Sequence, residues 1–181
     1  MKRRVRALGM VAGLALLTAA VDQLIKGLVL ATLPGKSHVI VPGLLRLVYR
    51  ENRGVAFSFL DGIPVPVLLL VNLAVLAIFL WLVRPYLSRG LGRLCAVLVL
   101  GGALGNLYDR LVRHFVIDYL DFRIWPVFNL ADACVVAGVG VLVVLLLRHT
   151  PAGAGGGAAS AGAAGDGSAT SAAAPPGGNA A

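Results

Sequence analysis

Four long apolar runs, separated by shorter polar segments, dominate the pattern of the chain. They cover residues of about 7–30, 64–83, 94–112 and 127–147. Each run is close to the roughly 20 helical residues that are needed to cross a hydrocarbon core of about 30 Å. The pattern therefore predicts an all-α polytopic membrane protein with four transmembrane helices. Asn72, a polar residue in the second run, is expected to form an interhelical hydrogen bond.

The longest connection, residues 31–63, has a different pattern. Leu45, Leu47 and Tyr49 alternate with other residues, two of them arginines, which predicts a short strand. Residues 51–54 resemble a turn, and residues 55–60 are expected to form a second short strand. The helices should therefore carry a small extracytoplasmic β-element.

The composition agrees with a membrane protein. The chain has 181 residues, of which 59% are hydrophobic and 13% charged, and its mean hydropathy is +0.89. Residues 151–181 consist almost wholly of Ala, Gly, Ser and Pro, a composition that cannot form a core. We therefore expect a transmembrane domain at 1–150 and a disordered cytoplasmic tail at 151–181.

The net charge of +8 is better explained by membrane orientation than by nucleic-acid binding. Basic residues cluster at the ends of the apolar runs, and no nucleic-acid motif is present, so no nucleic-acid partner is expected. The positive-inside rule assigns to the cytoplasm the basic groups before the first run, between the second and third, and after the fourth. Both termini are then cytoplasmic. The basic residues concerned are Lys2, Arg3, Arg4, Arg6, Arg84, Arg89, Arg93 and Arg148.

Under this topology, polar residues from three helices meet at the outer side of the membrane. Asp22 lies near the outer end of the first helix, Asn106 and Asp109 close the third, and Asn129 and Asp132 open the fourth. Asp132 lies six residues after Pro126, where the apolar stretch begins, so it is expected about 9 Å below the membrane surface. A buried acid at this depth predicts a functional site.

The chemistry of such a site follows from the cost of burying charge. A charged residue in hydrocarbon costs about 2.5 to 3.5 kcal/mol on insertion scales, so the acids imply a hydrated cavity with Lys26 and Arg110 as partners. Two neighbouring carboxylates cannot both ionise, and such a pair can hydrolyse a peptide bond. We expect no metal and no cofactor. The spacing leaves Asp109, Asp118 and Asp121 as equal candidates to pair with Asp132.

Two other functions compete with hydrolysis. A proton-coupled transporter would also use intramembrane acids, although transporters usually place their site at the midplane between repeated halves. A non-catalytic assembly protein would use polar residues to join helices and would tolerate Asp to Asn replacement.

Five segments, in order, resemble bacterial lipoprotein signal peptidase, also called signal peptidase II, of aspartic peptidase family A8. The similarity extends over residues of about 7–147. The segments are DQLIK from Asp22, NRGVAF from Asn52, GGALGNLYDR from Gly101, VIDY from Val116 and FNLAD from Phe128.

The resemblance implies a monomeric four-helix aspartic peptidase of the bacterial inner membrane, with a periplasmic β-cradle and an active site near the outer face. It implies contact with membrane lipids and with lipidated prolipoprotein substrates, which are cleaved just before the lipidated cysteine. It makes Asp118 and Asp132 the catalytic pair. The residues that it implies as supporting or substrate-binding are Asp22, Lys26, Asn52, Gly54, Asn106, Asp109, Arg110, Asn129 and Ala131.

Overall fold

Four membrane-length helices and a small antiparallel sheet make up the protein in the computed structural model. The structure describes residues 2–54 and 65–148, without the side chains of Arg3 and Val65. The expected tail at 151–181 and the expected strand at 55–60 lie outside these residues. In chain order the elements are α1 (Lys2–Thr32), β1 (Ser37–Val41), β2 (Leu45–Asn52), α2 (Val65–Val83), α3 (Gly90–Val112), β3 (Val116–Asp121) and α4 (Leu130–Leu147).

The four helices are long and apolar enough to cross a membrane, which confirms the predicted fold class. A short 3-10 turn, Arg84–Tyr86, links α2 to the loop before α3. The first three helices overlap the runs predicted from the sequence. The fourth begins about three residues later than its apolar run.

Local hydrogen bonding explains the late start of α4. The Asn129 side chain accepts a bond from the Asp132 backbone N–H, and the Asp132 side chain accepts one from the Asn129 backbone N–H. This capping box satisfies two amide groups that a helix start leaves without partners. Asp132 therefore lies in the first turn of α4 and not six residues into a helix, while its depth of about 9 Å below the membrane surface stays a prediction.

Helix α3 forms the centre of the bundle, and small residues allow close packing on both sides of it. A side chain at Gly101 would meet Thr18 Cβ of α1 at 2.5 Å, and one at Gly102 would collide with the Ala131 carbonyl of α4. Helix α2 packs mainly against α3. The order of packing therefore leaves space beside α3, between α2 and α4.

The sheet has the strand order β1-β2-β3 and is antiparallel throughout. The predicted strand at Leu45 to Tyr49 is confirmed. The predicted turn is wrong at Glu51 and Asn52, because both residues continue β2 and pair with Ile117 and Val116 of β3.

The sheet lies at the end of the bundle where α1 and α3 end and α4 begins. Val29 of α1 and Leu33, the residue after its end, form a buried cluster there with Ile117 and Tyr119 of β3. Because β3 is fixed against the ends of the helices, Asp118 comes close to the start of α4.

Candidate active site

A cavity of about 800 Å³ lies between α2, α3, α4 and the sheet. One end is polar and includes Asn52, Asn106, Arg110, Asp118 and Asp132. The rest is lined mainly by aliphatic and aromatic side chains of the helices, such as Leu76, Phe79, Val99, Val135 and Val139. The cavity therefore joins a small polar site to a larger apolar space.

Asp118 extends from β3 into the polar end and is only 3% exposed. Its Oδ2 accepts a hydrogen bond of 2.9 Å from Asn52 Nδ2, and its Oδ1 accepts one of 2.6 Å from Asn129 Nδ2. Asn52 is in turn held by the Gly54 backbone N–H, which donates to its Oδ1 at 3.1 Å. Two neighbouring segments thus fix the orientation of the Asp118 carboxyl group.

Asp132 enters the cavity from the first turn of α4. Its Oδ1 accepts a hydrogen bond of 2.7 Å from Asn106 Nδ2, and its Oδ2 accepts one of 3.3 Å from the Asn129 backbone N–H. The capping box that begins α4 therefore also holds this carboxyl group in place. Asn129 contacts both acids, through its side chain to Asp118 and through its backbone to Asp132.

Asn106 links the two acids to a buried lysine. Lys26 Nζ donates to Asn106 Oδ1 at 2.9 Å, and Asn129 Nδ2 lies 3.3 Å from the same oxygen. Because an ammonium group has only donors, this contact requires the amide oxygen to face Lys26. The amide nitrogen is then directed towards Asp132.

A charge cluster lies at the contact between α1 and α3 and touches Asn106, which lines the cavity. Lys26 Nζ lies 2.8 Å from both Asp22 Oδ2 and Asp109 Oδ2, and all three side chains are fully buried. Asp22 Oδ1 also accepts a hydrogen bond of 3.0 Å from the Ala131 backbone N–H. The cluster therefore connects α1, α3 and the start of α4.

Two further residues of this cluster, Gln23 and Arg113, were not predicted. Arg113 pairs with Asp109 Oδ1 and donates to Gln23 Oε1 at 2.7 Å. Gln23 Nε2 donates to the Gly105 carbonyl at 2.9 Å. The spacing of Arg113, four residues after Asp109 on one helix, was a signal in the sequence for this ion pair.

The structure separates the three acids that the spacing left equal as partners of Asp132. Asp109 is held by Lys26 and Arg113. Asp121 forms an ion pair of 2.6 Å with Arg46, and the Arg123 backbone N–H holds the pKa of its carboxyl group below the usual range. Neither residue lines the cavity, whereas Asp118 does. Considered alone, Asp118 would have been expected in an exposed loop, but it is buried in a strand.

The electrostatics of Asp118 suit a group that exchanges a proton. Burial raises the pKa of Asp118 to about 6, and the negative charge of Asp132 adds to this effect. Hydrogen bonds from Asn52 and Asn129 act in the opposite direction. The charge of Arg110 interacts with the charges of both Asp118 and Asp132, and its Nη1 donates to the Asn106 backbone carbonyl at 3.4 Å. Its positive charge favours negative charge in the site.

The arrangement provides a carboxyl group with a raised pKa beside a second carboxyl group that has its own donors. Such a pair can combine general acid and general base catalysis. Within the described ranges, no group of three or more His, Cys, Asp and Glu side chains is placed to hold a metal ion.

Comparison with known proteins agrees with this geometry. The family model for "Signal peptidase (SPase) II" matches residues 14–148. The chain is 42% identical over 134 residues to the lipoprotein signal peptidase of Halothermothrix orenii, covering 72% of this chain and 90% of the relative. It is 45% identical over 133 residues to that of Moorella thermoacetica, covering 71% of this chain and 87% of the relative.

Solved structures share the fold. A bacterial membrane enzyme determined by the in meso method at 2.3 Å resolution superposes with a TM-score of 0.67 and 26% identity, covering 77% of this chain and 88% of the other. The family match includes α1 from residue 14 onward and all the later helices and strands, and the relatives are covered over most of their length. This chain is therefore a multi-pass membrane protein of the signal peptidase II family.

Proposed function

We propose that Asp118 and Asp132 carry out the peptide hydrolysis by which this membrane enzyme removes signal peptides from prolipoproteins. Family membership establishes the activity and favours the peptidase over the transporter and the assembly protein. The observation that carries the residue assignment is the shared contact with Asn129, which bonds the Asp118 side chain and the Asp132 side chain at the polar end of one cavity.

In the proposed reaction, Asp132 is ionised and Asp118 carries a proton. Asp132 takes a proton from a water molecule as the water oxygen attacks the scissile carbonyl carbon. Asp118 donates a hydrogen bond to the carbonyl oxygen, which becomes part of a tetrahedral intermediate. When the intermediate collapses, the C–N bond breaks and the proton held by Asp132 passes to the leaving amine. Asp118 retains its proton, so the cycle ends in its starting state.

The raised pKa of Asp118 supports this division of roles. Asp132 accepts hydrogen bonds from the Asn106 side chain and the Asn129 backbone, both of which stabilise a carboxylate. Asn52 and Asn129 orient Asp118, while Asn106 orients Asp132. We assign Asp22, Lys26 and Asp109 to a supporting cluster that fixes Asn106 and the start of α4.

The shape of the cavity suits a diacylglyceryl-modified prolipoprotein. Its apolar walls, formed by residues such as Leu76, Phe79 and Val139, can accept acyl chains and an apolar signal segment, while its polar end receives the peptide bond before the lipidated cysteine. Arg110 and Gly54 line that polar end and are proposed to contact the substrate. Membrane lipid is the expected surrounding of the helices.

The proposed orientation places both termini in the cytoplasm and the acids near the outer face of the bacterial inner membrane. The basic residues in the first turns of α1 and those around the connection from α2 to α3 support this orientation. A monomer is sufficient for activity, because both acids and their contacts come from one chain. No nucleic-acid partner is proposed.

Purified protein in detergent, given a lipidated prolipoprotein, tests the assignment through release of the signal peptide. We expect Asp118→Asn and Asp132→Asn each to lower kcat by about 10²- to 10⁴-fold, the usual contribution of a general acid or base. Asp121→Asn is the matched control, since it alters an acid of the same strand that does not line the cavity. Full cleavage by both Asp118→Asn and Asp132→Asn would overturn the assignment.

A further inference from the structure

Asn72 interrupts α2, a helix that is otherwise almost entirely hydrocarbon. The interhelical hydrogen bond expected from the sequence is not formed within the described part of the chain. Instead, Asn72 Nδ2 donates to the Leu68 carbonyl of its own helix at 2.7 Å. The side chain is exposed and lines the cavity that contains Asp118 and Asp132.

Packing of α2 against α3 places Asn72 at the level of the active site. A small pocket between the two helices is lined by Leu69 and Leu76 of α2 and by Ala103 and Arg110 of α3. Along the sequence, Asn72 lies about midway between Leu69 and Leu76, and Asn106 lies about midway between Ala103 and Arg110. Asn72 is therefore about level with the amide that holds Asp132.

Contacts with the described residues use only part of the hydrogen-bonding capacity of Asn72. A carboxamide has two N–H donors and an oxygen acceptor, and one donor is taken by the Leu68 carbonyl. Among residues 2–54 and 65–148, the second donor and the acceptor oxygen have no hydrogen-bond partner, and both remain for a partner in the cavity. This combination is complementary to a peptide group, which also offers one N–H and one C=O.

A substrate needs such a partner at this position. The segment that is cleaved must leave its helical conformation, which exposes backbone N–H and C=O groups inside the membrane, where no bulk water can satisfy them. The neighbouring cavity residues of α2, Val75, Leu76 and Phe79, have no polar side-chain atoms. We propose that Asn72 binds the signal-peptide backbone next to the scissile bond and holds that segment extended, an inference that rests on the proposed function.

The test measures kcat/KM with a lipidated synthetic substrate and with analogues in which one backbone amide near the scissile bond is replaced by an ester. We expect Asn72→Leu, which is similar in size, to lower kcat/KM for the all-amide substrate by about 2- to 13-fold, the effect of one net hydrogen bond. For one of the ester analogues, the wild type should show a kcat/KM that is lower by a similar factor than with the all-amide substrate. With that same analogue, Asn72→Leu should have the same kcat/KM as the wild type. Val71→Ala, an exposed site on α2 that does not line the cavity, is the control.

Equal kcat/KM for Asn72→Leu and the wild type would overturn the proposal. The proposal would also be overturned if Asn72→Leu lowered kcat/KM to the same extent with every ester analogue, because Asn72 would then not be coupled to a particular substrate amide. A change of oligomeric state in Asn72→Leu without such coupling would assign Asn72 to helix association instead. If the wild type cleaved none of the substrates, the proposed function itself would fail, whereas cleavage by the wild type with no effect at Asn72 removes only this inference.

Discussion

Lys26→Met tests whether the buried charge cluster supports both the fold and the site. In the wild type, Lys26 contacts Asp22, Asp109 and Asn106, and the cluster contains two acids and, with Arg113, two bases. Methionine keeps much of the side-chain volume but removes the positive charge. The variant therefore leaves one negative charge in excess in a fully buried position.

The cost can be estimated from this geometry. Removing one partner of a buried ion pair usually costs about 3 to 5 kcal/mol, because the remaining charge has no compensation. For a chain of this length, a loss of 1 kcal/mol lowers Tm by about 2 to 4 °C. We expect Lys26→Met to lower Tm by about 6 to 20 °C. Lys36→Met, which removes an exposed lysine, is the control and should have little effect.

The double variant Asp22→Asn with Lys26→Met distinguishes a charge effect from a packing effect. It restores the balance between acids and bases, and the new amide oxygen can still accept from the Ala131 backbone N–H. Tm should recover part of the loss. Activity should not recover, because Asn106 still lacks the ammonium group that fixes its orientation towards Asp132.

Thermal unfolding in detergent and signal-peptide release measure the two effects separately. The reasoning is refuted if Lys26→Met unfolds at the wild-type temperature. It is also refuted if the loss of stability in the double variant equals the sum of the losses in Asp22→Asn and Lys26→Met, since substitutions of residues in direct contact should not have additive effects.

Two further predictions concern the pKa of Asp118 and the packing of α1 against α3. In Asn52→Ala, loss of the hydrogen bond to Asp118 should raise the pKa of this carboxyl group. Because the proposed mechanism needs Asp118 protonated, the midpoint of the fall of kcat/KM on the high-pH side of the profile should move to higher pH. An unchanged or lower midpoint would contradict the role of Asn52. Gly105→Ala should destabilise the protein by about 1 to 3 kcal/mol, because the new Cβ would lie 2.6 Å from Asp22 Oδ2. Gly13→Ala, which meets nothing within 4 Å, is its control, and equal Tm shifts for the two variants would argue against this clash.

The sequence was most informative for features that depend on one segment of the chain alone. Apolar runs predicted the four helices, because a membrane span requires only length and hydrophobicity. The strand β3 was not predicted, because its burial removes the pattern by which a strand is recognised. Five of its six residues are buried, so its sequence, VIDYLD, has no alternation of buried and exposed positions from which a strand could be predicted.

The site was harder to predict from the sequence, because it depends on contacts between segments that are distant along the chain. The spacing identified Asp22 and Lys26 as neighbours on one helix, but their pairing with Asp109 requires the packing of α1 against α3. Asn129 and Asp132 have the spacing of a capping box, although the apolar residues before them suggested an earlier helix start. The choice of Asp118 over Asp121 came from the family resemblance, since both residues lie on β3.

The space between α2 and α4 affects how this enzyme should be studied. Because its cavity is largely apolar, a lipidated substrate is expected to arrive by lateral diffusion within the membrane or micelle and not from bulk water. The quantity that governs encounter is then the mole fraction of substrate among lipid or detergent molecules. Adding detergent at constant enzyme and substrate should therefore slow cleavage by surface dilution, and an apolar inhibitor should lose apparent potency in the same proportion.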